Sequence, residues 1–123
     1  MLADNKAYSG IAVTDMDKAR EFYAGTLGLR THEEYGLMWL KHAEGRGTLV
    51  YEQPSATPAS YTVLNFQVDD IDEAVSALAA RGVSFERYEG FEQDTSGVFR
   101  DEGPYIAWFK DPSGNVLSVL QER

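Results

Sequence analysis

Hydrophobic and polar positions along the chain alternate with a period of two in short runs and with a helical period in two longer runs. The first helical run follows a capping residue, Asp15, and ends at Gly28, and the second follows Asp70 and ends at Gly82. One β-type run precedes each helix and three follow it, so each half of the chain is predicted to be a βαβββ module. The predicted strands cover residues 7–13, 30–34, 36–42, 47–53, 61–68, 83–88, 104–110 and 115–121.

The most informative stretch is residues 108–121, where a Pro-Ser-Gly turn separates two β-type runs. Proline presets φ for such a turn, and glycine takes its left-handed position. If Asp111 and Asn115 close this hairpin, Trp108 lies opposite Ser118 on one face of the sheet.

A weaker copy of this stretch begins at Trp39, so the chain is an internal repeat. The two copies align if one residue is inserted before the second strand of the earlier copy. This alignment pairs Val50 with Ser118 and predicts that Val50 lies on the same face as Trp39. A turn, not a phosphate-binding loop, is predicted at residues 45–47.

The chain is predicted to be one domain, residues 1–123, made of two modules. The modules cover residues 1–53 and 61–123, and a Pro/Ser-rich connector at 54–60 joins them. The second module carries an insertion at residues 89–103, which is longer than a hairpin needs. Such a loop is either a lid or a mobile surface segment, and the sequence leaves both open.

The composition narrows the classes of partner. The 123 residues carry a formal net charge of −9, which disfavours binding to nucleic acid or to an anionic membrane. The absence of cysteine excludes disulfides, thiol catalysis and zinc–thiolate sites. No hydrophobic run approaches the length of a membrane span, so a cytoplasmic location is expected.

Tandem βαβββ halves with the Asp-Pro-x-Gly-Asn turn at residues 111–115 resemble the vicinal oxygen chelate superfamily. This superfamily includes glyoxalase I, extradiol dioxygenases, fosfomycin-resistance enzymes and bleomycin-binding proteins. Residues 13–15, 22–23 and 27–29 carry further motifs of the resemblance. It implies an α+β fold, glyoxalase/bleomycin resistance-like, in which the modules form a curled mixed sheet with the ligand inside the cup. It also implies a homodimer.

The enzymes of that superfamily usually hold a divalent metal by His, Gln or Glu on the first strand of each half and by Glu on the last strand. Carried onto this sequence, those positions are Tyr8, Val50, Val63 and Ser118. Catalytic divalent metals need imidazole and carboxylate donors, and valine supplies none. We therefore expect no metal, no cofactor and no catalytic residue from the family's set.

The predicted cup is apolar and aromatic, which is typical of a site for a flat organic molecule. Both tryptophans would point into it, and Glu52 would either reach it from the rim or lie solvated at a strand end. Alternatively, the indoles only fill the cup or a subunit interface. The predicted ligand-binding residues are Tyr8, Trp39, Val50, Glu52, Val63, Asn65, Trp108 and Ser118.

Acidic residues are concentrated in and beside the insertion. They form either a solvated face or a negatively charged mouth that attracts cations. These acids are Glu86, Glu89, Glu92, Asp94, Asp101 and Glu102.

Together, these features favour a metal-free protein that binds an apolar or aromatic small molecule, cationic ones included. One alternative is a metal-dependent lyase or dioxygenase that uses displaced ligands (Glu52, His32 or His42), or an enzyme with Tyr8 as an acid–base group. Both histidines are, however, predicted to be solvated. A second alternative is a dimerisation or regulatory domain whose cup is filled by its own side chains.

Overall fold

The computed structural model describes residues 1–44 and 47–123, so Gly45 and Arg46 of the turn predicted at 45–47 lie outside the described residues. The chain divides into two compact units, Met1–Thr57 and Pro58–Arg123, and their boundary falls within the predicted connector. Each unit contains one mixed β-sheet and one α-helix, which gives the predicted α+β fold. No helix in the described residues is long and apolar enough to cross a membrane.

The first unit contains a four-stranded sheet. Its elements are β1 (Gly10–Val13), α1 (Met16–Arg20) with a π-helical continuation (Glu21–Thr26), β2 (Arg30–Glu34), β3 (Leu37–Lys41) and β4 (Thr48–Glu52). The strand order is β1-β4-β3-β2, with β1 parallel to β4 and the other pairs antiparallel. One face of this sheet is buried and carries Ile11, Val13, Met38, Leu40 and Val50.

The second unit contains a three-stranded sheet. Its elements are β5 (Thr62–Gln67), α2 (Ile71–Ala80), β6 (Tyr105–Lys110) and β7 (Val116–Gln121). The strand order is β5-β7-β6, with β5 parallel to β7, as β1 is to β4 in the first unit. Helix α2 packs against β6 and β7, whose residues Ala107, Phe109, Leu117 and Val119 are buried.

Both helices begin at the predicted capping residues. The carboxylate of Asp15 accepts a hydrogen bond from the Lys18 N–H at 3.1 Å, and that of Asp70 accepts one from the Glu73 N–H at 3.1 Å. Each cap has extended backbone angles and satisfies an N–H group that has no acceptor within its helix.

A side chain at the end of each last strand also binds the start of the helix. Glu52 accepts a hydrogen bond from the Met16 N–H at 2.8 Å, and Gln121 accepts one from the Ile71 N–H at 2.8 Å. Glu52 is exposed at the end of its strand, but its carboxylate faces α1. The prediction that it reaches the cup from the rim is therefore wrong.

The register of β4 differs by one residue from the prediction. Trp108 pairs with Ser118 as predicted, but Trp39 pairs with Leu49 and not with Val50. The repeat thus runs at a constant offset of 69 residues through both hairpins, with no inserted residue. Because a shift of one residue turns a side chain to the other face, Val50 is fully buried on the helix side.

The strand predicted at residues 83–88 is reduced to a single bridge between Phe85 and Phe109. Beyond it, the side chain of Gln93 takes the place of a neighbouring strand. Its amide oxygen accepts from the Tyr88 N–H at 2.9 Å, and its amide nitrogen donates to the Glu86 carbonyl at 2.9 Å. These bonds satisfy the backbone locally and end the ladder early.

The hairpin between β6 and β7 is closed by Asp111 and Asn115 as predicted, with a backbone hydrogen bond of 3.0 Å from the Asp111 N–H. The buried Asp111 carboxylate accepts from the Ser113 and Asn115 N–H groups, each at 2.9 Å, and from the Asn115 amide at 2.9 Å. Gly114 has a φ of 94°, which is the left-handed position that the turn requires.

The bond between Glu52 and α1 gives a prediction for stability. Glu52→Ala is expected to lower the free energy of unfolding by about 1 kcal/mol, because it removes a helix-terminal acceptor. Glu52→Gln should lose less, because Gln121 fills the equivalent place with an amide. Urea unfolding followed by circular dichroism measures both variants. Gln53→Ala, next to the site, is the control, and equal stability of Glu52→Ala and the parent chain would contradict the prediction.

Candidate functional site

The first unit presents an aromatic pair on the sheet face opposite its buried face. The Tyr8 ring meets Trp39 edge-on, with ring centroids 4.7 Å apart and planes at 70°. Tyr8 is 52% exposed, and Trp39 lines an open depression of about 210 Å³ together with His32, Lys41 and Gly47. This face therefore offers accessible aromatic surface beside a cationic side chain.

The second unit carries a polar pair next to its tryptophan. Trp108 pairs across the sheet with Ser118, which in turn pairs with Asn65. The fully buried Ser118 hydroxyl donates to the Asn65 side-chain oxygen at 2.5 Å. Asn65 is exposed, and because its oxygen accepts this bond, its amide nitrogen can donate to a ligand acceptor.

The indole of Trp108 is covered by three further rings. Phe91 stacks on it with centroids 5.5 Å apart and planes at 18°, and Tyr88 meets it edge-on at 5.4 Å. Phe99 is tilted toward it at 6.4 Å and contacts Phe91 at 4.9 Å. We call these four rings the Trp108 cluster. Phe91 and Phe99 belong to the 89–103 insertion, which thus packs over Trp108.

The insertion is held in place by a hub at Asp94. The Asp94 carboxylate accepts from the Ser96 and Val98 N–H groups, each at 3.0 Å, and from Arg100 at 3.1 Å. Burial raises the pKa of Asp94, but these hydrogen bonds outweigh it and leave the pKa below its ordinary value. Arg100 also binds Asp72 of α2 at 2.5 Å, which ties the insertion to the helix.

The acids in and beside the insertion do not act alike. Asp94 is the hub of the loop, and Glu86 lies 3.5 Å from the Lys110 ammonium group. The remaining acids are exposed and free to contribute a negative potential. They are Glu89, Glu92, Asp101 and Glu102.

The profile of the Glyoxalase/Bleomycin resistance protein/Dioxygenase superfamily matches residues 7–119. The chain belongs to this superfamily. An antibiotic binding protein from a Streptomyces species is a solved structure with 23% identity, a TM-score of 0.72, and coverage of 100% of this chain and 99% of that chain. A superfamily member from Sphaerobacter thermophilus has 24% identity and a TM-score of 0.70, with 99% and 100% covered. A glyoxalase family protein from Enterococcus faecalis has 19% identity and a TM-score of 0.71, with 98% and 99% covered.

At these levels of identity the similarity shows that the fold is shared. It does not assign a role to any residue. None of the curated proteins compared with this sequence matches it.

The residues at the superfamily's metal positions do not fit a divalent ion. The corrected register replaces Val50 by Leu49, which has no donor atom either. Val63 lies where β5 gains one residue relative to β7, and it too has no donor. Tyr8 supplies a phenol, and the Ser118 hydroxyl is bonded to Asn65. Within residues 1–44 and 47–123, no three His, Asp or Glu side chains lie close enough together to hold a metal ion.

The displaced donors considered from the sequence do not converge. Glu52 is bonded to the start of α1, whereas His32 pairs with Trp39 and lies on the opposite face of the sheet. His42 is half-buried, not solvated as predicted, and its Nε2 lies 2.8 Å from the Thr48 hydroxyl. These three side chains therefore point to different places within the first unit.

Of the eight predicted ligand-binding residues, two lie on the helix side, and one lies at the irregularity in β5. Val50 and Glu52 were misplaced because the repeat was aligned with one residue too many. Sequence reasoning missed Leu49, which a constant offset would have found. It also missed Phe91 and Phe99. Two phenylalanines within the insertion could have indicated that this loop packs against the rest of its module.

Burial lowers the pKa of His42 below its ordinary value, which predicts a pH dependence of stability. The unfolded chain takes up the proton near pH 6.5 and the folded chain only at lower pH, so acidification favours unfolding. The stability advantage of the parent chain over His42→Gln should therefore shrink as the pH falls below about 6.5. Urea unfolding between pH 8 and pH 5 measures it. His32→Gln is the control, and a constant difference for His42→Gln would contradict the prediction.

Proposed function

We propose that this chain is a metal-free binding protein of the superfamily and takes an apolar or aromatic small molecule, cationic ones included. The observation that carries the proposal is the pairing of two features in each unit. A tryptophan lies on the sheet face away from the helix. The neighbouring metal positions carry side chains that bind a metal ion poorly or cannot bind one. Such a face can bind a flat molecule by aromatic stacking, but it lacks the ligands to hold a metal ion that would polarise a substrate.

The polar groups of the second unit support the same proposal. Asn65 shares its oxygen with Ser118 and keeps its amide nitrogen for a ligand. A single neutral donor beside an indole suits an aromatic molecule with one carbonyl or ether oxygen. In the first unit, Lys41 beside Trp39 offers a second point of polar contact.

The comparisons support binding in a general way. The similar protein from a Streptomyces species is an antibiotic binding protein, so this fold is compatible with sequestration of a small molecule. The net charge of −9 and the exposed acids of the insertion favour cationic over anionic aromatic ligands. The homodimer and the cytoplasmic location expected from the sequence stay predictions.

One observation favours a second candidate function. The Trp108 cluster buries part of the indole under side chains of the same chain, as expected for a dimerisation or regulatory domain whose cup is filled internally. An enzyme that uses Tyr8 as an acid–base group is less well supported, because the Tyr8 ring packs edge-on against Trp39.

The metal-free proposal predicts the metal content of the purified protein. Protein prepared without chelator should carry well below one divalent ion per chain, because the metal positions lack carboxylate and imidazole donors. Mass spectrometry of the digested protein measures this content. Addition of Zn²⁺, Mn²⁺ or Ni²⁺ should leave Tm unchanged. One tightly bound ion per chain would contradict the proposal.

The binding proposal predicts that proflavine, a planar aromatic cation, quenches tryptophan emission on titration. Trp39→Leu and Trp108→Leu should each weaken binding about threefold or more, because stacking is lost. Anthracene-9-carboxylate, a planar anion of similar size, should bind more weakly than proflavine in Trp39→Leu protein, where the second unit with its exposed acids is tested without the Trp39 site and its neighbour Lys41.

Tyr35→Leu is the matched control, because Tyr35 is an aromatic residue that is 92% exposed in the turn between β2 and β3. Failure of both probes to bind would overturn the binding proposal, and so would an equal loss of affinity in Tyr35→Leu.

A further inference from the structure

The two tryptophans hold equivalent places in the repeat but differ in what covers them. In the part of the chain that the structure describes, Trp39 meets the edge of the Tyr8 ring, and it borders an open depression. The Phe91 ring stacks nearly parallel on the indole of Trp108. A planar ligand would take this same position on an indole, so the face of Trp39 is open to a ligand and the face of Trp108 is already occupied by a side chain.

Phe91 is poorly buried for a ring that stacks in this way. It remains 47% exposed, and its neighbours Glu89, Gly90 and Glu92 are exposed as well. Gly90 has a φ of 87°, which makes a sharp turn just before the ring. A core phenylalanine would bury nearly all of its surface, so the stack gains less from burial than an ordinary core contact does.

The chain on either side of this short exposed stretch is well fixed. Tyr88 is bonded through its N–H to the Gln93 side chain, which also donates to the Gly97 carbonyl at 2.7 Å. Between them, the Phe91 N–H donates to the Tyr88 carbonyl at 3.2 Å, a bond local to residues 88–91. The Phe91 ring is not a member of the Gln93 and Asp94 networks, so its displacement would break none of their hydrogen bonds.

We propose that Phe91 is an internal stand-in for a planar ligand on Trp108, and that it must leave before such a ligand can stack there. The inference rests on the proposed binding function and adds a rule of selectivity to it. Fused-ring aromatic compounds present enough area to replace the Phe91 ring, whereas single-ring compounds do not. The second unit thus selects for extended planar molecules, and the first unit does not.

The test uses proflavine and Trp39→Phe protein, in which Trp108 is the only tryptophan. Phe91→Ala in this background should bind proflavine about two- to tenfold more tightly, because the competing stack is gone. The anisotropy of the bound probe measures affinity. Without ligand, the same variant should show a red shift of Trp108 emission. Phe91→Leu keeps an apolar side chain without a ring, so its affinity for proflavine should lie between that of Phe91→Ala and that of protein with Phe91.

The internal control is the Trp108→Phe background, in which Trp39 reports alone. There Phe91→Ala should leave proflavine binding unchanged. If proflavine binds in this background but Phe91→Ala fails to tighten binding at Trp108, the stand-in inference is wrong and the proposed function survives. Weaker binding at Trp108 in Phe91→Ala would make Phe91 part of the ligand surface and would also overturn the inference. If proflavine binds in neither background, both proposals fall together.

Discussion

One hydrogen bond occurs in both units and shows which face of each last strand is turned toward the helix. Glu52 in the first unit and Gln121 in the second accept the N–H of the first helical residue, each at 2.8 Å. This bond directs the end of the last strand toward the helix. Because side chains alternate, the residues one and three positions before it must then face away from the helix. Leu49 and Ser118 take those outward positions, and each pairs with a tryptophan.

The candidate site follows from this phase. The positions that the resemblance assigns to the metal ligands of the superfamily's enzymes carry leucine, serine, valine and tyrosine in this chain. The chemistry left to such faces is stacking, apolar contact and a few neutral hydrogen bonds. The insertion then makes the two faces different, because its phenylalanines cover Trp108 and no counterpart exists in the first unit's sequence.

Much of the fold could be predicted because its signals are local. The capping residues Asp15 and Asp70, the hairpin closed by Asp111 and Asn115, and most strand positions depend on neighbouring residues in the chain. The face of Trp108 followed from the same hairpin, whose short turn fixes the register. The face of Val50 did not follow, because residues 42–47 give no comparable signal and an alignment had to supply the register.

The sequence by itself determined the α+β fold class, the helix starts, the lack of family metal ligands and the pairing of Trp108 with Ser118. Only the tertiary structure decided that Glu52 binds α1, that His42 is half-buried, and that Gln93 replaces a strand. It also decided that Phe91 lies on Trp108. The physical reason is that these contacts join residues through side chains whose partners no periodicity encodes, and their energies depend on packing that forms only in the folded chain.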